Sequence, residues 1–562
     1  MTNKNFLKIF LGLMIISSPM YSQVTIGDNK YPENFSVLEL LSHDKQGLRL
    51  PQMTTEQRTA LSDKYGSNPK MMGLTIFNIN TNCVEIWSGY TWISWCAPIN
   101  QVCHTSSTKG TDFWISFGKN FNQPTSANVI LALKISAEEA TDVKLTFTYD
   151  NSTTTYSIAD NSLTTINLVS VQGLGNKKSA VYIGDIIPGV YNYTLHITSQ
   201  KPISVYAFNT VSATSDATVL LPVDSWGKDY YRLSYAPIDG FNDFEIIIAK
   251  EDNTKIFLNS SSTPFATLNA GQVYSYPQVY DLQATPPTNG DMTGRHITSD
   301  KPIAYFTHNS LAQVPTGRTA GDILFEQMMP VNRWGKKFLV TNAPEGANTM
   351  NNHIRIIASE NQTTVNFTGA TVVTMDASNK TIPGETIIYS GGKLDAGQWV
   401  ELIINGTNTD ACYIETDKPV AVAAYMVGAT TSGPPLGDPS IAWIPSLNQS
   451  ILTSIISPFL FPAGSSGTNL GSSDAIHYMI IITPTNEKEQ TTINGSLISS
   501  TEWIDNADSG YSYYYWYFDN VADLNKIFKV ANPVGGVIVL CGGIGSVESY
   551  YYNAGSGTCI IN

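Results

Sequence analysis

The sequence predicts an all-β protein: four tandem β modules preceded by a small mixed head. Three observations carry that prediction. Short phrases recur in a fixed order, and the prolines of one of them lie 100, 117 and 114 residues apart. Charged residues make up only 14 % of the chain, against about 25 % in an average soluble protein, and polarity comes instead from Ser, Thr, Asn, Gly and 29 Tyr. Those residues suit pleated strands and tight turns. No long window has helical periodicity; each module instead holds six or seven strand-like runs bounded by Gly, Asn, Pro or Asp. With 42 % hydrophobic residues among 562, the chain has apolar surface for several cores.

The first element is a targeting segment. Lys4 and Lys8 flank the start of an apolar run over 9–16, and Ser17-Ser18-Pro19 breaks it. This reads as a secretory signal over residues 1–22. The eight apolar residues, at about 1.5 Å rise each, cannot cross a hydrocarbon core of about 30 Å. No later stretch is long and apolar enough either, so no transmembrane segment is expected.

Residues 23–100 form the head. Ser36-Val37-Leu38-Glu39-Leu40 alternates like a half-buried strand. Thr54 to Leu61 reads as a short helix, with Thr54 as cap and Gln57 three residues on. The runs at 73–78 and 83–87 are two strands joined by the Asn80-Thr81-Asn82 turn, and Gly89-Tyr90-Thr91-Trp92 leads into a third.

The modules are placed at 110–215, 216–320, 321–438 and 439–562, the last including a C-terminal strand. One phrase is His196-Ile197-Thr198-Ser199-Gln200-Lys201-Pro202-Ile203, repeated at His296–Ile303 and Tyr413–Val420 and weakly around Pro533. A second is Leu221-Pro222-Val223-Asp224-Ser225-Trp226-Gly227, repeated at Met329–Gly335 and degraded at Ile444-Pro445. A third is Phe244-Glu245-Ile246-Ile247-Ile248-Ala249, matched at His353–Ala358 and His477–Ile482. Proline forces its predecessor extended and removes an N–H, so each Lys-Pro marks a break between strands or a strand edge. The strand count per module favours a β-sandwich over a four-stranded propeller blade. A closed, propeller-like ring of the four units is the alternative.

The search for chemistry finds no catalytic residue, cofactor-binding motif or metal site. His196 and His296 share a repeat position with Tyr413 and Ile527, and His353 and His477 share one with Phe244. Positions that accept His, Tyr, Ile or Phe are packing positions, because a catalytic site needs fixed chemistry. Nucleophile-elbow, zinc-helix, P-loop and dinucleotide motifs are absent, as is an EF-hand loop. The carboxylate pairs Glu138-Glu139 and Glu251-Asp252 sit beside turns and read as solvated loops. A net charge of −14 repels phosphate backbones, so nucleic acid is not an expected partner.

Two aromatic runs remain. Tyr511, Tyr513, Tyr515 and Tyr517 alternate along one strand, and Tyr551 lies in a second run. If exposed, they are binding candidates for sugar or protein; the competing reading is a strand buried on both faces.

The six cysteines, Cys83, Cys96, Cys103, Cys412, Cys541 and Cys559, allow 15 pairings. Cys83 and Cys96 flank a hairpin and are expected to bond. Cys412 with Cys541 would join modules three and four, and Cys103 with Cys559 would tie the ends of the repeat region.

The head's phrases, from Thr25-Ile26-Gly27 through Gly47-Leu48-Arg49-Leu50-Pro51 to Thr81-Asn82-Cys83-Val84-Glu85-Ile86-Trp87, resemble a module common on secreted proteins of Bacteroidetes bacteria, and also the tip of tail-fibre-type trimers. That likeness implies surface display and oligomerisation. Gly110-Thr111-Asp112-Phe113-Trp114, the Lys201-Pro202 phrase and Leu220-Leu221-Pro222-Val223, in that order, resemble the IgGFc-binding protein N-terminal domain family over 110–555. That resemblance implies an extracellular or cell-surface binding or adhesion protein, with an extracellular protein or mucin-like glycoprotein as partner and no catalytic residues to transfer. A structural fibre component is the alternative, and a secreted carbohydrate-active enzyme a more distant one. The expectation is therefore a protein that binds and does not catalyse.

Overall fold

The computed structural model divides into two compact units, 1–99 and 100–562. It describes 24–26, 38–40, 49–65, 68–80, 83–88 and 92–94 in the first unit. In the second it describes 107–559, apart from 185–186, 260, 280–289, 345–350, 374–392, 407–409, 430–436, 457–474, 520–522, 524–525 and 546. The expected signal segment lies outside the described residues. Among the described residues, no helix is long and apolar enough to cross a membrane.

In the head, Thr54 caps the helix Thr55–Tyr65 as its sequence predicts. The Gln57 N–H donates to Thr54 Oγ1 at 3.2 Å, and the Thr54 N–H donates to Gln57 Oε1 at 2.9 Å. Strands Thr75–Asn78, Cys83–Trp87 and Trp92–Ser94 form an antiparallel meander. Arg58 on the helix reaches buried Glu85 at 2.9 Å, which docks helix on sheet.

The described residues of the second unit form strands, turns and short 3-10 helices. The first three modules share one plan, built on a single long strand: Leu195–Val211, His296–Ala312 and Ala411–Met426. The Lys-Pro phrase lies inside that strand. In the first module, Leu195–Ser199 pair with Gly110–Ile115 on one side and Thr141–Phe147 on the other. From Ile203 onward the strand pairs instead with Ile130–Ala137 and Thr214–Val219. Lys-Pro is thus a bulge where one strand changes partners, rather than a gap between two strands. A repeated hydrogen bond holds it: Ser199, Ser299 and Thr416 each donate a hydroxyl to the carbonyl of Lys201, Lys301 or Lys418 at 2.7 Å.

The fourth module shows the cost of losing the phrase. Asn532-Pro533-Val534-Gly535-Gly536 replaces it, and the long strand splits into Phe528–Ala531 and Ile538–Ile544. One sheet becomes two.

The Trp-Gly phrase is the hinge from module to module. Pro222 and Pro330 open short helices, Val223–Ser225 and Val331–Arg333. The Trp226 and Trp334 indole N–H groups close back on Leu221 O and Met329 O at 3.1 and 3.0 Å. Each following glycine begins the next module, with Gly227 and Gly335 paired to Ile303 and Val420 just past the Lys-Pro. Gly227 also lies against Pro330, and an added Cβ would stand 2.3 Å from the Pro330 Cβ.

The four hydrophobic cores each draw on two modules. One joins Leu133 and Val205 to Phe244 and Phe306; the next joins Ile247 and Tyr305 to Ile357 and Trp443. A third joins Ile356 and Val422 to Tyr478 and Leu540; the last joins Met479 and Val539 of module four back to Tyr206 and Phe208 of module one. The four modules therefore close into a ring, the arrangement raised above as the alternative, with only the fourth module split into two sheets.

The axis is lined by the last strand of each module: Thr214–Val219, Asp322–Gln327, Ser440–Trp443 and Ser549–Gly555. These strands follow their modules' long strands, so the first three sheets end a few residues beyond the sequence-drawn boundaries. The C-terminal Ser556-Gly557-Thr558 seals the ring. Ser556 O accepts from Thr108 N–H at 3.0 Å, Gln449 O accepts from Gly557 N–H at 2.6 Å, and the Ser225 and Thr558 hydroxyls meet at 2.6 Å.

The cysteines are only partly described. Cys83 is buried, and Cys96, with which it is expected to bond, lies outside the described residues. Cys412 and Cys541 are free buried thiols in two different cores, which keeps them apart. Cys559 is disulfide-bonded, and its expected partner Cys103 lies outside the described residues.

Candidate functional site

The predicted aromatic strip lies mostly in the core. Tyr511 and Tyr513 are buried and Tyr551 is fully so, while Tyr515 is half-buried and donates its hydroxyl to Asn342 O at 2.8 Å. Only Tyr517, 55 % exposed, presents its ring to solvent. The strand Tyr511–Phe518 runs between two cores: Tyr513 and Tyr515 face the one shared with module three, and Tyr514 and Trp516 the one shared with module one.

The histidines of the repeat phrases stack on rings and pair with acids. His196 stacks on Trp114 with centroids 3.8 Å apart and holds Asp112 at 2.8 Å. His296 repeats this on Tyr231 and Asp229, at 4.1 and 2.8 Å. His353 joins a buried ion network: its Nδ1 meets Glu401 at 2.6 Å, while Arg355 bonds Glu401 and Asp291 and lies over the Tyr235 and Trp399 rings. Burial pushes the Glu401 carboxyl up, but Arg355 and His353 outweigh it and hold it at about 2. The network pins module three to module two.

The axis gathers acids that no short motif announces: Asp216, Asp322, Glu326, Asp438 and Glu548, all buried. Asp216 is the hub. Its carboxylate accepts N–H groups from all four axial strands: Ala217 and Phe325 at 2.9 Å, Ile441 and Tyr551 at 3.4 Å. Asp322 accepts from Ser215 N–H at 2.5 Å and Ser549 N–H at 3.3 Å. Burial first, and neighbouring acids second, raise the Asp322 carboxyl well above the usual range and the Asp438 carboxyl to about 8. Among the described residues, no group of three or more His, Cys, Asp or Glu is placed to hold a metal ion. The axial acids tie the ring together.

The open site lies elsewhere, where modules one and two meet. The segment Gly189–Tyr191 belongs to the first module's chain but pairs with Val273–Ser275 at the edge of the second module's sheet. It carries Tyr191, Asn192 and Tyr193 to a surface cleft of about 310 Å³, completed by Tyr149, Val190 and Gln272. The three tyrosines form a row. Tyr149 and Tyr193 stack at 5.5 Å and 23°, and Tyr193 and Tyr191 at 5.7 Å and 10°. Hydrogen bonds support the row: Thr148 and Thr194 hydroxyls meet at 2.9 Å, and Thr194 donates to Gly271 O at 2.6 Å in a buried contact. Gln272 is held on both ends, by Asn269 N–H at 2.8 Å and by Asn192 Oδ1 at 3.3 Å.

The sequence reading missed this cleft. Its tyrosines lie 42 residues apart in the chain, and Gln272 lies 79 residues further on. The available signal was Tyr191-Asn192-Tyr193-Thr194 just before the His196 phrase, where the second repeat reads Asp291-Met292-Thr293-Gly294.

A closed ring of β modules with a tyrosine-lined surface cleft, preceded by a separate small head, defines the class: a modular all-β scaffold. The chain belongs to the IgGFc binding protein family, whose profile matches residues 102–284 and 216–527. Residues 25–110 match a phage tail like trimerisation region. The chain is similar to the human IgGFc-binding protein, with 22 % identity over 266 residues; the match spans 45 % of this chain and 4 % of the human protein.

Proposed function

We propose that this is a secreted, surface-displayed bacterial protein that binds an extracellular glycoprotein or matrix macromolecule and carries out no catalysis. The carrying observation is the tyrosine cleft: an amphipathic aromatic row, braced from below, on a ring whose polar interior is otherwise spent on holding modules together. Family membership supports an extracellular binding role, and the signal-like N-terminus supports export. The trimerisation match supports assembly through the head, which would present three rings at once and raise weak single-site affinity through effective concentration.

The test is capture of purified glycoproteins, including mucin, by the immobilised full chain. Saturable capture that weakens when the head is deleted supports the reading; no capture of any glycoprotein or matrix polymer refutes it. The trimerisation match also favours a second reading, a fibre component. Regular filaments of the purified chain in electron micrographs, together with no capture, would select it. Release of reducing sugar from any polysaccharide would overturn the non-catalytic assignment.

A further inference from the structure

We infer that the Tyr149–Tyr193–Tyr191 cleft binds a neutral pyranose ring at the end of a glycan. The inference rests on the glycoprotein-binding reading above and names what that partner presents.

The lining chemistry selects the ligand. A pyranose has one face of C–H bonds and a rim of hydroxyls. The C–H face packs on an electron-rich aromatic plane, and the rim needs donors and acceptors around it. Here the planes are the stacked tyrosines, with Tyr149 58 % exposed. Among the described residues, the Tyr149 and Tyr193 hydroxyls make no hydrogen bond within the protein, so both remain for a ligand's hydroxyls. Asn192 accepts from Gln272 through Oδ1, which leaves its NH₂ group to donate into the cleft. A volume of about 310 Å³ is at the small end of ligand sites, which run roughly from 300 to 1,000 Å³, and suits one or two sugar units.

The sign of the charge excludes acidic sugars. Among the described residues, no charged side chain lines the cleft. Asp150, next to Tyr149, is already paired with Lys177 at 2.5 Å, and that lysine and Ser152 hold its carboxyl at about 2. The net charge of −14 repels anions generally. Sialylated or sulfated termini therefore have no cation to meet. The apolar rim adds contact area: Tyr149 and Val190 are two of the seven large apolar side chains that the described residues of the ring leave exposed.

The experiment is an array of neutral, N-acetylated and sialylated oligosaccharides probed with the full chain and with Tyr149→Ala, Tyr149→Phe and Gln272→Ala. The expected result is binding to neutral or N-acetylated termini, weakened about tenfold or more by Tyr149→Ala and by less than about threefold by Tyr149→Phe, which keeps the ring face. Loss of the amide in Gln272→Ala frees Asn192 and is expected to weaken binding as well. No glycan bound, a preference for sialylated termini, equal binding by Tyr149→Ala, or Tyr149-dependent binding of a proline-rich peptide instead would each overturn the inference. A glycoprotein target, intact and enzymatically stripped of glycans, separates the two levels. Equal capture of both forms sinks the cleft inference and leaves the glycoprotein reading standing; capture of neither sinks both.

Discussion

Replacing Asp216 with alanine removes the acceptor on which all four axial strands converge. Four backbone N–H groups lose their partner, two of them bonded at 2.9 Å and two at 3.4 Å. A buried donor left unsatisfied costs about 1–3 kcal/mol, with the long pair at the low end, so the loss is about 4–8 kcal/mol. The effect on melting depends on how much chain unfolds together. At roughly 2.1 cal/mol/K per residue, about 450 residues melting as one unit shift by about 1 °C per kcal/mol, hence ~4–8 °C. A single module of about 110 residues would shift by roughly 4 °C per kcal/mol and melt apart from the others. Calorimetry of the full chain is expected to show one ring transition lowered by ~4–8 °C in Asp216→Ala. Asp216→Asn keeps one oxygen and turns an amide donor toward the other N–H pair, so it is expected to lose at least half as much. A melting point within about 1 °C of the parent for both variants would refute the axial-hub argument. A split transition would refute unitary closure of the ring.

Other consequences are equally direct. Gly227→Ala is expected to destabilise by about 1–3 kcal/mol, because its Cβ would collide with Pro330 2.3 Å away; denaturant titration reads this as a lower midpoint. The Asp438 carboxyl, raised to about 8 by burial, stabilises the fold fully below its unfolded value near 4 and loses that contribution as pH rises through about 8. Comparing parent and Asp438→Asn at pH 5 and 8.5 is expected to show the larger pH-dependent loss in the parent. Comparison with the variant cancels His308, lowered to about 4 by burial, and Lys134, lowered to about 7 by burial; both act in the opposite direction. Burial raises the Cys412 and Cys541 thiols to about 12, so neither is expected to react with a thiol reagent at pH 8 until the protein is unfolded.

What the sequence disclosed and what it hid divide along one line: whether the information is local. The repeated phrases are local devices, and each has a local structural job: a bulge at Lys-Pro, a hinge at Trp-Gly, a cap at Thr54. Where a phrase decays, around Pro533, the strand it would have bulged breaks in two. Ring closure is not local. Met479 and Tyr206 share a core across 273 residues of chain, and alternating patterns do not say which module covers which face. The tyrosine runs misdirect for the same reason. A strand between two cores is apolar on both faces, so a run such as Tyr511–Tyr517 marks burial as readily as display.

The open cleft is legible only by contrast between repeats. Positions that recur, such as Gly227 against Pro330 and Ser199 bonded to Lys201, are bound to the architecture of every module and are not free to specialise. Tyr191 and Tyr193 stand on a segment that leaves its own module and joins the neighbour's sheet, a crossing that the second and third modules do not repeat among the described residues. There the chain meets no repeat constraint and carries two tyrosines and an asparagine beside an exposed third tyrosine. In a ring whose repeats are committed to holding one another, specificity belongs where the repeat is broken without breaking the sheet, and among the described residues the junction of modules one and two is such a place.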